Sequence, residues 1–378
     1  MATPTEFPLF EGYNSTNASQ LWNGTDDDKR QIHSVTYIFV WVALCNIVVF
    51  VVGMTGNVMV ILVVLRIRDM RTSTNYYLTN LGIADLLVIL ICQPSAMLEF
   101  YSKDRWLIGE VMCKLVPCLE NGVAHASVMT ILVITVERYF AICFPLKNPG
   151  TFSGNNTWKI ILGVWTVALV STFPFALLTV EEDALFYDGT PCKVCRTKIT
   201  YTWHYWYMIG IVVIFFVLPL CTLVVMYSKI IRQLYSDAIR IITKKDPCSA
   251  NSLKNRKQVV RMLIGIITLF FVSIFPIRVV SLWMVFTPVV KQRELGIDGY
   301  MNLISFARLM LYVNSAGNPV IYSLTSTKFK RAFKRLFGKY EAQHFHTMSV
   351  RYSSLRRTVP ENGNLKLTSN GATNMTLD

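Results

Sequence analysis

Charge is scarce in this sequence. Only 16% of its 378 residues are Asp, Glu, Lys or Arg, against roughly 25% in an ordinary soluble domain. The 19 glycines and 14 prolines are too few for a collagen-like repeat. Five histidines (His33, His125, His204, His344 and His346) form no metal cluster and no nucleophile–base set. No glycine-rich phosphate loop occurs, so no enzyme is expected. Residues 1–35 contain no apolar stretch of the kind a cleaved signal peptide has. No internal repeat points to a transporter. What abounds is apolar: 53% of residues are hydrophobic and mean hydropathy is +0.41, which excludes a disordered chain. The small charged fraction is lopsided, with 37 Lys+Arg against 23 Asp+Glu and a net +14. A soluble nucleic-acid binder shares the pI near 9.4 but not the hydropathy. A membrane protein whose charge lies outside its apolar segments remains.

A helix rises about 1.5 Å per residue, so crossing a hydrocarbon core of about 30 Å takes roughly 20 apolar residues. Seven such runs occur, near 36–65, 76–100, 111–143, 158–180, 205–231, 259–287 and 299–324. They lack the alternation of barrel strands, so the fold class expected is all-α: a bundle of seven membrane helices. Connectors are short except the fifth, near 232–258. Three sequons at Asn14, Asn17 and Asn23 lie in the polar arm and put it outside if glycosylated. Lys and Arg collect on cytoplasmic segments. With that arm outside, the inner segments 66–75, 144–159, 228–261 and 325–378 carry +2, +2, +7 and +7. The outer segments 1–35, 101–110, 180–202 and 288–299 carry −3, 0, −1 and 0. The arrangement expected is N-terminus out and C-terminus in.

The runs are interrupted by polar residues, each costing about 2.5–3.5 kcal/mol if charged at the bilayer centre. They form an ordered set: Gly56-Asn57 in the first run, Asn80 to Asp85 in the second, Cys113 at the head of the third. Glu137-Arg138-Tyr139 closes the third, followed by Pro145-Leu146. Trp165 lies in the fourth, Pro219 and Tyr227 in the fifth, Phe270 and Pro276 in the sixth. Asn314-Ser315 and Asn318-Pro319-Val320-Ile321-Tyr322 close the seventh. On these residues the chain resembles the rhodopsin-like (class A) G-protein-coupled receptors over roughly 36–337. The stretches around Cys113–Pro117 and Val133–Leu146 are most similar to receptors of the ghrelin, thyrotropin-releasing-hormone and orexin neighbourhood. Two departures stand out. Ser273-Ile274-Phe275-Pro276 replaces the family's Cys-Trp-x-Pro, and no cysteine follows Cys248 to anchor the tail.

The resemblance implies a plasma-membrane receptor for a neuropeptide that signals through a heterotrimeric G protein as the sixth helix moves outward. A receptor for an amine or lipid is the alternative. It implies a domain order of glycosylated arm (1–35), seven-helix domain (36–325), amphipathic eighth helix (326–337) and largely disordered tail (338–378). Ligand binding falls on Glu99, Glu120, Asn121, Arg278, Ser281, Arg308 and Tyr312, with two acids and two bases expected in one cavity. Tyr312 stands where opsins carry the retinal lysine, so an opsin is excluded. The activation switch falls on Glu137, Arg138, Tyr139, Tyr227, Phe270, Pro276, Asn318, Pro319 and Tyr322. Arg138, Pro145, Leu146, Arg256, Lys257 and Arg261 are the residues expected to meet the G protein. Asp85, Ser127, Asn314 and Asn318 match the family's pocket for an allosteric sodium ion. No other cofactor is expected. Cys113 is expected to pair with Cys195, with Cys192 as second choice. Phosphorylation at Ser349, Ser353, Ser354 and Thr358 implies a receptor kinase and arrestin as further partners. The basic juxtamembrane residues suit membrane lipid rather than nucleic acid.

Overall fold

The computed structural model describes residues 26–103, 105–144, 154–185, 190–244, 247–288, 291–292 and 294–336. The three arm sequons, Pro145, Leu146, Phe337 and the tail serines and threonine lie outside the described residues. Residues 1–330 form one compact unit and 331–378 a second.

Among the described residues the first unit holds seven long helices. They are α1 (Asp26–Arg66), α2 (Ser73–Tyr101), α3 (Gly109–Cys143), α4 (Gly154–Leu178), α5 (Thr202–Val212 continuing to Leu218–Lys244), α6 (Pro247–Phe286) and α7 (Gly296–Thr325). The backbone is helical again over 327–330, and in the second unit over 331–336. Six of the seven are long and apolar enough to cross a membrane. The other, α7, is diluted by Arg308, Asn314, Ser315 and Asn318. Between α4 and α5 runs an antiparallel hairpin, β1 (Thr179–Leu185) and β2 (Pro191–Thr197), in register Glu181 with Cys195 and Ala184 with Cys192.

Burial is inverted relative to a soluble protein. Asn57, Asp85 and Ser273 are fully buried, whereas Leu162 and Val170 are each 69% exposed. Apolar exposure on that scale is stable only against lipid. The chain is therefore a multi-pass membrane protein.

Two features of the helices follow from proline. A π turn at Val88–Cys92 ends two residues before Pro94, and another at Val213–Val217 ends two residues before Pro219. A proline ring clashes with the carbonyl four residues back, and widening one turn relieves the clash. α1 and α7 approach so closely that a Cβ on Gly56 would lie 2.7 Å from Pro319 Cβ. α3 runs through the middle, packing on α2, α4 and α5, while α7 packs on α1 and α6.

The expected long connector at 232–258 is mostly helix, because α5 continues to Lys244 and α6 begins at Pro247. Loss of hydropathy marks where lipid ends, not where a helix ends. Lys114, counted with the third run, sits at its solvent-exposed start and pairs with Glu110 at 2.5 Å.

Candidate functional site

At the hairpin end of the bundle, three connections fix the floor and rim of an open cleft. Cys113 on α3 is bonded to Cys195 on β2, which leaves Cys192 free. The Trp106 backbone N–H donates to Lys193 O at 2.7 Å, and its indole Nε1 donates to Gly109 O at 2.7 Å. Gly109 has φ of +80°, in the left-handed region that favours glycine. On β2, a hydrogen bond to Glu181 and the carboxylate charge hold the Lys193 ammonium above the ordinary lysine range.

The cleft is lined by Glu99, Trp106, Val116, Glu120, Thr197 and Arg308, among others. Arg308 Nη1 donates to Glu99 Oε2 at 2.7 Å, with the side chains 31% and 13% exposed. Tyr312 Oη donates to Glu120 Oε1 at 3.0 Å. Arg278 stands apart from this group. Its Nη1 donates to Asn121 Oδ1 at 2.7 Å, and Ser281 donates to Ile277 O on its own helix. Neither lines the cleft. The expected single cluster of two acids and two bases is thus divided, and Arg278 does not compete with Tyr312 for Glu120. The reason is helical geometry. Adjacent residues project about 100° apart, so Glu120 turns to α7 and Asn121 to α6.

Deeper in the bundle, Asp85 is fully buried and its Oδ2 accepts from Asn318 Nδ2 at 2.9 Å. Asp85 Oδ1, Ser127 Oγ, Asn314 Oδ1 and Asn318 Oδ1 are all buried without a hydrogen-bond partner among the described residues. Asn57 Nδ2 donates to Ser315 O at 2.9 Å, joining α1 to α7. Asn80 joins three helices, donating to Thr130 at 3.1 Å and accepting from Trp165 Nε1 at 2.8 Å. Ile274, in place of a tryptophan, is buried, and so is Phe270.

At the opposite end, Arg138 Nη2 donates to Glu137 Oε1 at 2.7 Å and to Thr74 Oγ1 at 2.7 Å. The Thr74 hydroxyl donates in turn to Glu137 Oε2 at 3.2 Å. Tyr139 packs its ring against Phe140 and Phe144. The Tyr227 hydroxyl accepts from Thr135 at 3.5 Å, and Tyr322 stacks on Phe329. Gln258 on α6 was absent from every expectation. Its Nε2 donates to Thr325 O at 2.7 Å, and its Oε1 accepts from Thr327 at 3.3 Å. Arg256 reaches Asp237 at 3.9 Å, while Lys257 and Arg261 are exposed.

Two kinds of residue escaped the sequence reading. One is Thr74 and Gln258, ordinary polar residues without a motif. The other is the hairpin, which Asp188-Gly189 between two short runs would have signalled.

Comparison with known proteins agrees with this geometry. Residues 56–322 match the model of the 7 transmembrane receptor (rhodopsin family). The chain is similar to the human growth hormone secretagogue receptor type 1, 33% identical over 353 residues that cover 89% of this chain and 92% of that protein. It is also similar to the thyrotropin-releasing hormone receptor of Gallus gallus, 32% identical over 352 residues covering 83% and 85%. With the QRFP-like peptide receptor of Branchiostoma floridae, identity is 28% over 289 residues covering 76% and 74%. Seven helices, the bonded Cys113–Cys195 pair and this match over most of its length lead to one conclusion: the chain belongs to the rhodopsin family of seven-transmembrane receptors.

Proposed function

We propose that this receptor sits in the plasma membrane, binds a secreted peptide at its hairpin end and couples to a heterotrimeric G protein at its Arg138 end. The observation that carries the peptide reading is the cleft itself. It presents an acid–base pair, a second carboxylate and an indole, a mix suited to amides and charged termini. A lipid needs an apolar cavity with one polar anchor. Relatives named for peptide ligands point the same way. A disulfide at the hairpin end suits an oxidising outer face, in keeping with the basic residues at the other end. Screening a neuropeptide library on cells expressing the receptor with a promiscuous G-protein readout tests the reading. Responses to one or more peptides are expected. Silence to all peptides with a robust response to an amine or a lipid overturns it.

Signalling works by population shift, in which bound peptide favours a state with the inner end of α6 displaced outward. In the present arrangement Arg138 is held by Glu137 and Thr74, and neither Tyr227 nor Tyr322 bonds it. We read this arrangement as the closed state. Opening frees Arg138 to meet the G protein together with Arg256, Lys257, Arg261 and the segment carrying Pro145 and Leu146. Pro276 and Pro319 lie inside α6 and α7 and are where those helices would bend on opening. Receptor kinase, arrestin and membrane lipid are the further partners proposed, on the tail serines and threonine and the basic residues around them.

Four buried, unpartnered oxygens on Asp85, Ser127, Asn314 and Asn318 fit a hard cation such as sodium, which takes oxygen donors. When bound, the ion neutralises Asp85 and satisfies these oxygens, favouring the closed state. Asp85→Asn keeps the shape and removes the charge. It is expected to abolish any sodium-dependent thermal stabilisation of the purified receptor. Equal stabilisation of wild type and variant removes the ion from this site.

A further inference from the structure

The first turn of α5 is capped by a histidine. Tyr201 is the residue just before the helix, and His204 stands three residues on. His204 is 5% exposed. Its Nδ1 accepts the backbone N–H of Thr200 at 3.0 Å and that of Tyr201 at 3.4 Å. A helix that reaches back in this way ordinarily does so with Glu or Gln at that position, whose oxygen accepts the N–H of the residue before the helix. An amide oxygen accepts whatever the pH. An imidazole nitrogen accepts only without a proton.

The partners fix the state of the ring. A backbone N–H only donates, so Nδ1 carries a lone pair and the proton of the neutral ring sits on Nε2. A second proton has to go to Nδ1. There it turns the acceptor into a donor facing two other donors, and two N–H groups at a buried helix start lose their partner. Imidazole ordinarily gains its charge between about pH 8 and about pH 5.

The surroundings supply no compensating charge. No acid of the described residues is paired with His204. α4 and α6 pack against the outer part of α5 and carry no ionisable group over 172–178 and 279–286. On the hairpin, Glu181 pairs with Lys193 and Glu182 with Lys198, and Asp183, Cys192 and Arg196 are the other ionisable groups. On α3, Glu110 pairs with Lys114. Trp203 and Tyr201 meet the imidazole edge-on, at 4.1 Å and 5.3 Å. Tyr205 packs on Phe286 of α6, and the Tyr207 hydroxyl donates to Ser171 O at 2.9 Å.

The cap lies where the hairpin joins α5. The Lys198 N–H donates to Leu178 O at 2.8 Å, and Thr197, one residue earlier, lines the cleft. We infer that His204 is an acid-sensitive cap, whose protonation from solvent at the hairpin end undoes the first turn of α5 and loosens 198–201, the link to the cleft wall. The uncapped segment takes up the proton without losing these bonds, so acid favours it. The inference does not depend on what the ligand is.

Amide hydrogen exchange over 198–206 of the purified receptor, at about pH 7.4 and about pH 5.5, reads the cap. His204→Gln puts the usual capping amide at the same place. Wild type and variant are expected to exchange alike at the higher pH. At the lower pH the wild type is expected to exchange about 10-fold faster than the variant. Comparing two proteins at one pH cancels the intrinsic pH dependence of exchange. If His204→Gln does not fold, His204→Glu serves. The wild type alone gives a second reading, since 198–206 is expected to gain exchange in acid relative to 109–116 at the head of α3. Equal exchange of wild type and variant at the lower pH overturns the inference, as does an acid loosening that 109–116 shares in full.

Discussion

Arg308→Ala is expected to reduce peptide potency about 100-fold and to lower the thermal stability of the empty receptor. Arg308 and Glu99 are 2.7 Å apart and mostly buried, so removing one charge strands the other. Stranding a charge in a fully buried pair costs about 3–5 kcal/mol. Arg308 is 31% exposed, and solvent screening brings the expected loss nearer about 2 kcal/mol. The variant also leaves Glu99 and Glu120 on one cleft without their cation. Glu99→Gln/Arg308→Gln separates the two effects. Two amides can hydrogen-bond where the ion pair stood, so most of the stability is expected to return while potency stays low. Thermal melts of purified protein and concentration–response curves at matched surface expression read both arms. Unchanged potency of Arg308→Ala removes Arg308 from the ligand site. If the double variant melts as low as the single one, the stranded-charge account is wrong.

Gln258→Leu is expected to raise signalling without ligand roughly 10-fold. Arg138 makes no bond to α6 among the described residues, so it cannot by itself hold α6 closed. Gln258 joins α6 to the end of α7 and the residues just beyond it. Its bond to the Thr325 carbonyl, at 2.7 Å and partly buried, is worth about 1–1.5 kcal/mol. That amount, lost from the closed state alone, is roughly a tenfold rise in the open fraction. The contact from Thr327 is longer and exposed, so Thr327→Ala is expected to change little. The Arg256–Asp237 pair at 3.9 Å is weaker still, and Asp237→Asn is expected to be near neutral. Basal inositol phosphate or cyclic AMP, measured per receptor at the surface, ranks the three. Gln258→Leu no more active than wild type overturns the restraint assigned to Gln258.

Much of the fold was legible because the bilayer imposes a coarse rule. Runs of about 20 apolar residues read as helices whatever their neighbours do, and the polar exceptions within them stand out. Asp85, Glu120, Arg138, Arg278 and Arg308 are each conspicuous for that reason, as is Cys113 at the head of a span. Outside lipid the rule lapses. The inner extensions of α5 and α6 look like a loop, since charged residues there cost nothing. The β1–β2 hairpin was missed in the same way. Thr74 and Gln258 are small or neutral polar residues near helix ends, and nothing in their type separates them from solvated neighbours.

From the sequence alone came the number of crossings, the asymmetry of charge and the residues that must find partners, while Cys192 stayed open as the second choice beside Cys195 until the bond was seen. Which partner each found was a matter for tertiary structure. Glu120 and Asn121 are adjacent in the chain, yet one faces Tyr312 and the other Arg278. Their helix turns by about 100° per residue, and only the packed neighbours decide what stands in each direction. The same rotation divides the four charges expected in one cavity between a cleft that holds Glu99, Glu120 and Arg308 and a guanidinium held by an amide. Composition can count those charges, but only the bundle separates them.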